Sequence, residues 1–320
     1  MKNILVIGSA GQIGSELIPE LRKRYGPDHV VAGIHKTQPP REVAESGPIE
    51  TVDITEVSRI SAVVKKFHID TIYNLAALLS VVGESKPLEV WHVGIDGLIN
   101  VLEVARKCGC SVFTPSSIGA FGITTPLDNT PQDTIQRPRT IYGISKVAGE
   151  LLSDYYFERF GVDTRSVRYP GIISNATPPG GGTTDYAVEI YYAALKEDKY
   201  TCSLKPGTYL DMMYMPDCLD AAIQLMEADP GRLKHRNSFN VTAMSFAPEI
   251  IEAEIKKHIP NFKMDYRIDP VKQKIAESWP NKMDDSCARE EWGWNPKYDL
   301  GMTTQEMLTV LKEGKDKGTL

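Results

Sequence analysis

A glycine-rich turn near the N-terminus constrains the fold of this chain more than any other feature. Gly8, Gly11 and Gly14 follow a short apolar run at residues 4–7, and apolar residues at helical spacing begin directly after them. A turn of this kind, between a parallel strand and a helix, lets backbone amides approach a phosphate group at the helix N-terminus. The pattern therefore predicts a βαβ unit that binds a dinucleotide.

Apolar runs typical of buried strands alternate with segments of helical periodicity along the first half of the chain. The predicted strands cover residues 3–7, 29–34, 49–52, 71–75, 111–115 and 164–168, and the predicted helices cover 12–24, 60–67, 88–107 and 142–160. This alternation predicts a doubly wound parallel α/β sheet, the Rossmann fold. The pattern changes after about residue 172. We therefore expect a dinucleotide-binding domain over 1–172, to which parts of the later chain return, and a smaller substrate-binding lobe over 173–320.

Composition excludes several classes of partner. The net charge of −6 over 320 residues provides no basic field for nucleic acid or an anionic membrane. The five cysteines and six histidines show no metal-binding spacing, so we expect no metal and reduced thiols. The N-terminal apolar run is too short for a signal sequence, and no run is long enough to span a membrane. These features predict a soluble, cytoplasmic protein.

A tyrosine, a lysine and a serine are the candidate catalytic residues. Tyr142 and Lys146 are four residues apart on a predicted helix, so they lie on one face. A lysine ammonium at that position favours the phenolate, which can accept a substrate proton. Ser117 follows a predicted strand, where its hydroxyl can hold the reacting oxygen. Each signal alone is weak, because this tyrosine–lysine spacing arises by chance and serines often cap helices, but their combination at strand ends predicts catalysis.

Residues at or just beyond the predicted strand ends are expected to contact the dinucleotide. They are Gly8, Gly11, Gln12, Ile13, Gly14, His35, Lys36, Asp53, Ile54, Leu75, Ala76, Ala77, Tyr169 and Ile172. Tyr142 and Lys146 are expected to contact it from the predicted helix at 142–160. Asp53 can accept a hydrogen bond from the adenine amino group, or it can cap the following helix. Both alternatives remain open at this point.

The second strand lacks the acid that normally binds the adenosine ribose. Its end reads Gly33-Ile34-His35-Lys36, and Ile34 cannot accept a hydrogen bond from a ribose hydroxyl. His35, Lys36 or Arg41 could instead meet a 2′-phosphate, so NADP is possible beside NAD. Alternatively, backbone groups, a neighbouring acid or His35 itself serve the ribose.

The combined motifs resemble the extended short-chain dehydrogenase/reductase superfamily. Within it, the segments similar to the short-chain L-threonine 3-dehydrogenases are 77–80, 115–122, 165–174, 179–187, 212–215 and 275–285. The likeness extends from residue 2 to about residue 310. It implies NAD-dependent oxidation of L-threonine at C3 to 2-amino-3-oxobutyrate. Tyr142 would be the general base, Lys146 would tune it and bind the nicotinamide ribose, and Ser117 would hold the substrate oxygen.

The resemblance also implies where the substrate binds. Ser80, Thr183 and Thr184 would hold the amino acid together with Ser117 and Tyr142, and a loop over 177–185 would close over it. Trp279 would either cover this pocket or only anchor the C-terminal lobe. A homodimer would form through the helices at 88–107 and 142–160.

Three positions depart from the resembled pattern. Ile34 replaces the ribose-binding acid, Gly94 stands where an asparagine is usual, and Asp211 stands where a proline is usual. The first of these predicts weakened cofactor affinity. Two other functions remain as alternatives: a nucleotide-sugar epimerase or dehydratase on the same scaffold, and a non-catalytic dinucleotide-binding protein.

Overall fold

A computed structural model describes residues 1–78, 80–178, 180 and 182–316, without the side chains of residues 81 and 82. Its strands are β1 (Ile4–Ile7), β2 (Val30–Ile34), β3 (Ile49–Thr51), β4 (Thr71–Asn74), β5 (Ser111–Phe113), β6 (Ser116–Ser117), β7 (Thr164–Arg165), β8 (Val167–Tyr169), β9 (Gly171–Ile173), β10 (Lys199–Cys202), β11 (Leu210–Tyr214), β12 (Phe239–Asn240), β13 (Met244–Phe246) and β14 (Lys263–Tyr266). Its α-helices are α1 (Gln12–Tyr25), α2 (Arg41–Glu45), α3 (Val57–Lys66), α4 (Ser80–Glu84), α5 (Pro87–Trp91), α6 (Gly97–Cys108), α7 (Ile141–Phe160), α8 (Tyr186–Glu197), α9 (Met215–Glu227), α10 (Pro248–Lys256), α11 (Pro270–Ala276), α12 (Ser286–Trp292) and α13 (Leu300–Asp316).

The central sheet has six strands in the order β3-β2-β1-β4-β5-β7, and every neighbouring pair is parallel. The order reverses between β1 and β4, and in sheets of this kind ligands bind beyond the carboxyl ends of the strands at that point. The predicted Rossmann-type α/β fold is confirmed.

Helices cover both faces of this sheet, which explains the uninterrupted apolar sequence of β1. Ile4 and Val6 pack into one core with α1 and α9, whereas Leu5 and Ile7 pack into the other with α3 and α6. A strand buried on both faces needs apolar residues at every position, because successive side chains point to opposite faces.

Two predicted elements differ from the observed ones. The helix predicted over 88–107 is divided into α5 and α6 by a π-helical turn at His92–Asp96, which contains Gly94. The strand predicted over 164–168 changes sheet at Ser166: β7 pairs with β5, whereas β8 pairs with β6 and β12. Neither interruption alters the apolar periodicity, so the sequence pattern does not reveal them.

Later parts of the chain build a third core and also pack against the central sheet. The third core lies among α8, α10 and α13 and the sheet β13-β11-β9. Helix α9 and Trp294 instead pack in the core that contains Ile4 and Val6. The domain division at residue 172 stays a prediction. Among the described helices, none combines the length and apolar character needed to cross a membrane.

Candidate active site

A cleft of about 450 Å³ lies at the carboxyl ends of β1, β4 and β6. It brings together predicted site residues that are far apart in sequence. Those that line it are Gly8, Gly11, Gln12, Ile13, Gly14, Leu75, Ala77, Ser80, Ser117, Tyr142, Lys146, Tyr169, Ile172, Thr183, Thr184 and Trp279. Its volume lies in the range of small-molecule sites, and its lining joins the glycine turn to Ser117 and Tyr142.

The glycine turn forms one end of the cleft and requires glycine at two positions. Gly8 has φ +86°, and a Cβ there would lie 2.9 Å from the backbone nitrogen of Ala76. A Cβ on Gly14 would lie 2.4 Å from the carbonyl oxygen of Gly8. Helix α1 begins after Gly11 with no side-chain cap and no acid in its first turn. Its amides and the positive end of its dipole therefore remain available for a diphosphate.

Tyr142 and Lys146 lie in the first turns of α7, as their spacing predicts. The side chain of Thr140 caps this helix by accepting a hydrogen bond of 3.0 Å from the Gly143 amide. Nζ of Lys146 lies 5.4 Å from the centre of the Tyr142 ring and donates a 2.8 Å hydrogen bond to the Pro115 carbonyl. The ammonium group of Lys146 is therefore held beside the Tyr142 ring.

Ser117 ends β6 and faces the same cleft. Its Oγ accepts a 3.1 Å hydrogen bond from the Gly119 amide and so caps the short 3₁₀ turn Ile118–Ala120. Capping uses an acceptor lone pair and leaves the hydroxyl proton free to be donated to a ligand. The capping and ligand-binding alternatives of the sequence analysis are therefore compatible.

Gly119 brings Ser117 and Tyr142 together, and sequence reasoning missed it. A Cβ on Gly119 would lie 2.9 Å from Cε1 of Tyr142 and 3.4 Å from Oγ of Ser117. The tyrosine ring thus packs directly on the backbone of residue 119. The available signal was the Ser-x-Gly spacing after a strand, which is too common to be informative alone.

A buried charged network beneath the cleft anchors β6 to α7. Ser116 donates its hydroxyl hydrogen bond to Glu150. Arg168 donates two more to the Glu150 carboxylate, at 3.0 and 2.8 Å, and both side chains are buried. Breaking one partner of such a pair leaves an uncompensated buried charge. The network therefore holds the strand that carries Ser117 against the helix that carries Tyr142.

Tyr169 also lines the cleft, but its hydroxyl is not a rival base. Its Oη donates a 2.6 Å hydrogen bond to the Cys218 carbonyl. Burial raises the pKa of Tyr169 well above its ordinary value, and the neighbouring Cys218 side chain adds to this increase. Its phenol therefore stays neutral and does not accept a substrate proton.

Five predicted cofactor residues do not line the cleft: His35, Lys36, Asp53, Ile54 and Ala76. Ala76 lies behind Gly8 and contacts it through its backbone. Ile54 is buried and packs closely on the α-carbon of Gly97 in α6. Ala76 therefore packs against the glycine turn from behind, whereas Ile54 belongs to the core with α3 and α6.

Asp53 and His35 form an ion pair beyond the ends of β2 and β3. His35 Nε2 lies 3.2 Å from Asp53 Oδ2. Burial alone would raise the pKa of Asp53, but two hydrogen bonds from Thr55 and the charges of His35 and Lys36 outweigh it and lower the pKa. Asp53 makes no capping hydrogen bond to α3, whose first residue follows Glu56. The Asp53 carboxylate therefore remains ionised beside His35, beyond the ends of β2 and β3.

The loop predicted to cover the substrate lines the cleft opposite Tyr142, with residues 179 and 181 outside the described chain. Thr183 is 1% exposed, and its Oγ1 has no hydrogen-bond partner among the described residues. Thr184 contacts Gly171 so closely that a Cβ at 171 would lie 2.7 Å from its methyl group. A buried hydroxyl without a partner costs free energy unless a ligand or water meets it. Thr183 is therefore a candidate ligand-binding group.

Trp279 lies where the core of the C-terminal part meets the cleft. It is 5% exposed, packs in the core around α8 and β11, and lines the cleft. Within the described lining, the charged side chains are Lys146 and Asp185. The cleft thus lacks the cluster of arginines and lysines that a second diphosphate would require.

The parallel sheet, the glycine turn and the cleft define a Rossmann-type dinucleotide-binding protein. Residues 4–241 match the NAD dependent epimerase/dehydratase family, and the chain belongs to that family. A nicotinamide cofactor is what this family implies. A curated relative from Staphylococcus haemolyticus, described as an uncharacterized epimerase/dehydratase, is 52% identical over 98% of both chains.

Several solved structures similar to this chain are L-threonine dehydrogenases. The enzyme from Clostridium difficile is 54% identical with a TM-score of 0.96 over 98% of each chain. The enzyme from Phytophthora infestans is 46% identical with a TM-score of 0.93, over 98% of this chain and 99% of the other. A monomeric L-threonine 3-dehydrogenase from a metagenome is 41% identical, with a TM-score of 0.92 over 97% and 99%. The resemblance stated from the motifs is confirmed.

Proposed function

We propose that this chain oxidises L-threonine at C3 to 2-amino-3-oxobutyrate, with NAD as the hydride acceptor. The observation that carries the proposal is the joint position of Ser117, Tyr142 and Lys146 on one side of the cleft. The similarity to L-threonine dehydrogenases over nearly the whole chain supports the choice of substrate.

The protein's own groups handle the proton. Ser117 donates a hydrogen bond to the C3 hydroxyl oxygen of the substrate and aligns it with the phenol of Tyr142. Tyr142 in its ionised form accepts the hydroxyl proton, and Lys146 stabilises that form electrostatically. The loop around Thr183 excludes water from the reacting atoms. NAD, when bound, supplies the hydride acceptor.

The residues of the glycine turn fit a dinucleotide. Gly8 and Gly14 leave no room for a side chain at the point where α1 begins, and the helix end is uncapped. Of the two dinucleotides, NAD suits the site better, because NADP would bring its 2′-phosphate close to the ionised carboxylate of Asp53, which pairs with His35. Two negative charges at short range repel each other.

Small-molecule selectivity follows from the lining of the cleft. Hydroxyls of Ser80, Thr183 and Thr184 and backbone amides of the loop suit an amino acid's carboxylate and ammonium. A nucleotide sugar would bring a second diphosphate, for which Lys146 is the only cation among the described lining residues. An epimerase function is therefore disfavoured on chemical grounds.

We include a homodimer and a cytoplasmic location in the proposal. Leu88 of α5 and Ile144, Leu151 and Tyr155 of α7 are exposed large apolar side chains. Contiguous exposed apolar patches are typical of protein–protein contacts. All five cysteines are free thiols, which is the state a reducing compartment maintains.

The test compares the purified chain with its Tyr142→Phe variant. Reduction of NAD is followed by absorbance with L-threonine, and in parallel with UDP-glucose and UDP-galactose. We expect NADH formation with L-threonine alone, reduced at least about 100-fold in Tyr142→Phe because proton transfer is lost. Binding of NAD by the variant, measured by calorimetry, is expected to persist.

Three results would each overturn the proposal. Interconversion of the two UDP-sugars without net NADH formation would identify an epimerase. Full turnover of L-threonine by Tyr142→Phe would show that another group removes the proton. NAD binding without turnover of any 3-hydroxy amino acid would leave a dinucleotide-binding protein.

A further inference from the structure

A cluster of potential metal-binding side chains lies outside the cleft, where α12 meets the segment before β12. His235, Cys287 and Glu291 place one nitrogen, sulfur or oxygen atom each within 4.8 Å of one another. Cys287 and Glu291 are four residues apart and so share one face of α12. Asp133 approaches from a third segment, and its Oδ2 lies 3.5 Å from Nε2 of His235.

Glu291 is already fully engaged and serves to orient the histidine. It is 7% exposed. One of its oxygens accepts the backbone amides of Lys234 and His235 at 2.5 and 3.1 Å, and the other meets Nδ1 of His235. A carboxylate on Nδ1 fixes the tautomer in which Nε2 carries the free lone pair. This arrangement, with a carboxylate behind the imidazole, is the usual outer support of a metal-binding histidine.

Nε2 of His235 points at two further donor atoms. It lies 4.0 Å from Sγ of Cys287 and 3.5 Å from Oδ2 of Asp133. Zn²⁺ bond lengths of about 2.0–2.3 Å at tetrahedral angles separate donor atoms by about 3.3–3.6 Å. The 3.5 Å distance already lies in that range, and the 4.0 Å distance must shorten by about 0.4 Å to reach it.

The backbone around the cluster is held firmly, which favours a preformed site. Gln132, next to Asp133, donates a 2.8 Å hydrogen bond to the Ser238 carbonyl and accepts one of 2.8 Å from the Asn240 amide. The His235 ring packs edge-on against Phe239, with ring centres 5.9 Å apart. Asp133 itself is exposed, so its carboxylate reorients at little cost.

We propose that His235 Nε2, Cys287 Sγ and Asp133 Oδ2 bind Zn²⁺, with Glu291 as the positioning residue and water in the fourth position. The spacing of cysteines and histidines in the sequence predicted no metal, because the donors of this site come from three distant segments.

The metal replaces the Cys287 thiol proton, which passes to solvent. Burial and the surrounding Glu291, Asp284, Glu290 and Asp133 carboxylates raise the pKa of Cys287, and a divalent cation counters those charges.

The experiment uses the full chain, freed of metal and reduced, and titrates it with Co²⁺ and then Zn²⁺. We expect one Co²⁺ per chain, a thiolate-to-cobalt charge-transfer band in the near ultraviolet and tetrahedral visible bands, all removed by Zn²⁺. Cys287→Ser should abolish the charge-transfer band. Cys108→Ser, which changes the other half-buried thiol, should leave it unchanged.

Two further variants separate the site from a structural ion pair. Asp133→Asn alters an exposed side chain and should weaken Zn²⁺ binding about tenfold without changing the melting temperature of the metal-free protein. Glu291→Gln should weaken binding about 10- to 100-fold. A parent chain without the charge-transfer band, or a Cys287→Ser variant that keeps it, would overturn the proposal. Neither readout depends on the proposed dehydrogenase activity.

Discussion

The ring of Tyr142 packs on the backbone of Gly119, where an added methyl group would lie 2.9 Å from its Cε1 atom. Gly119→Ala must therefore shift the phenol away from Ser117. We expect kcat for L-threonine oxidation to fall about 100-fold, since a misplacement of roughly 1 Å has this effect. The affinity for NAD should change little. Steady-state kinetics and NAD calorimetry measure the two effects.

The matched control for this change is Gly94→Ala. A Cβ on Gly94 would meet Ser145 at 3.7 Å, which is an ordinary contact. Its kcat should stay within about twofold of the parent. An unchanged kcat in Gly119→Ala would show that the close packing has no role in catalysis.

Thr183 offers a substitution with opposite effects on stability and on activity. Its buried Oγ1 has no partner among the described residues, so Thr183→Val removes an unsatisfied group whose burial costs about 1–3 kcal/mol. We expect an unchanged or higher melting temperature together with an approximately tenfold higher KM for L-threonine. Thr183→Ser, which keeps the hydroxyl, should retain a KM near that of the parent. An unchanged KM in Thr183→Val would remove Thr183 from the substrate site.

Ile34 ends β2 where an acid would accept hydrogen bonds from the adenosine ribose. Ile34→Asp should tighten NAD binding by about 1.5–3 kcal/mol, which is the range for a hydrogen bond to a charged acceptor. NADP binding should weaken in the same variant. Ile34→Asn is the control. It should increase the affinity for NAD by less than Ile34→Asp does, and it should leave the affinity for NADP unchanged. Calorimetric titration of both dinucleotides decides between these outcomes.

Asp211 should make the free energy of unfolding fall as the pH rises, which is opposite to the effect of most carboxylates. Burial raises the pKa of Asp211 to about 8, although hydrogen bonds from Thr242 and the Met283 amide oppose this. The negative charge of Asp285 raises the pKa of Asp211 further, and the positive charge of Lys282 lowers it. An unfolded aspartate has a pKa of about 3.9, so the folded state holds the extra proton between about pH 4 and pH 8.

Stability from Asp211 is therefore fully present below about pH 4 and is lost as the pH rises toward 8. Asp211→Asn should remove this loss. The free energy of unfolding of the variant should fall less steeply with rising pH than that of the parent, by about 1 kcal/mol per pH unit. Urea unfolding at pH 6.0 and 7.5 compares the two slopes. Equal slopes in parent and variant would contradict the assignment.

Leu151 is the test position for the apolar face of α7. Its side chain is 64% exposed, beside the exposed Ile144 and Tyr155. Leu151→Glu should convert the proposed dimer into a monomer, as measured by light scattering during gel filtration. Ile123→Glu, also at an exposed apolar position, should leave the dimer intact. A parent chain that is already monomeric, as the metagenome relative is described, would contradict the proposed dimer.

Local sequence patterns were sufficient to predict the Rossmann-type sheet and to place the candidate catalytic residues in one cleft. The glycine turn, the buried apolar strands and the tyrosine–lysine spacing are short-range features, since each depends on backbone geometry within a few residues. Parallel strands end at one edge of a sheet, so Gly8, Ser117 and Tyr142 could be assigned to one cleft without a structure.

The sequence alone determined the strand–helix order, the glycine turn and the helix that carries Tyr142 and Lys146, because these follow from chain geometry and hydrophobic periodicity. Only the tertiary structure decided the packing of Gly119 on Tyr142 and the burial of Glu150 with Arg168. It also decided the approach of His235 to Cys287. Each of these contacts joins segments whose separation in space depends on how whole helices and sheets pack, and no local pattern encodes that distance.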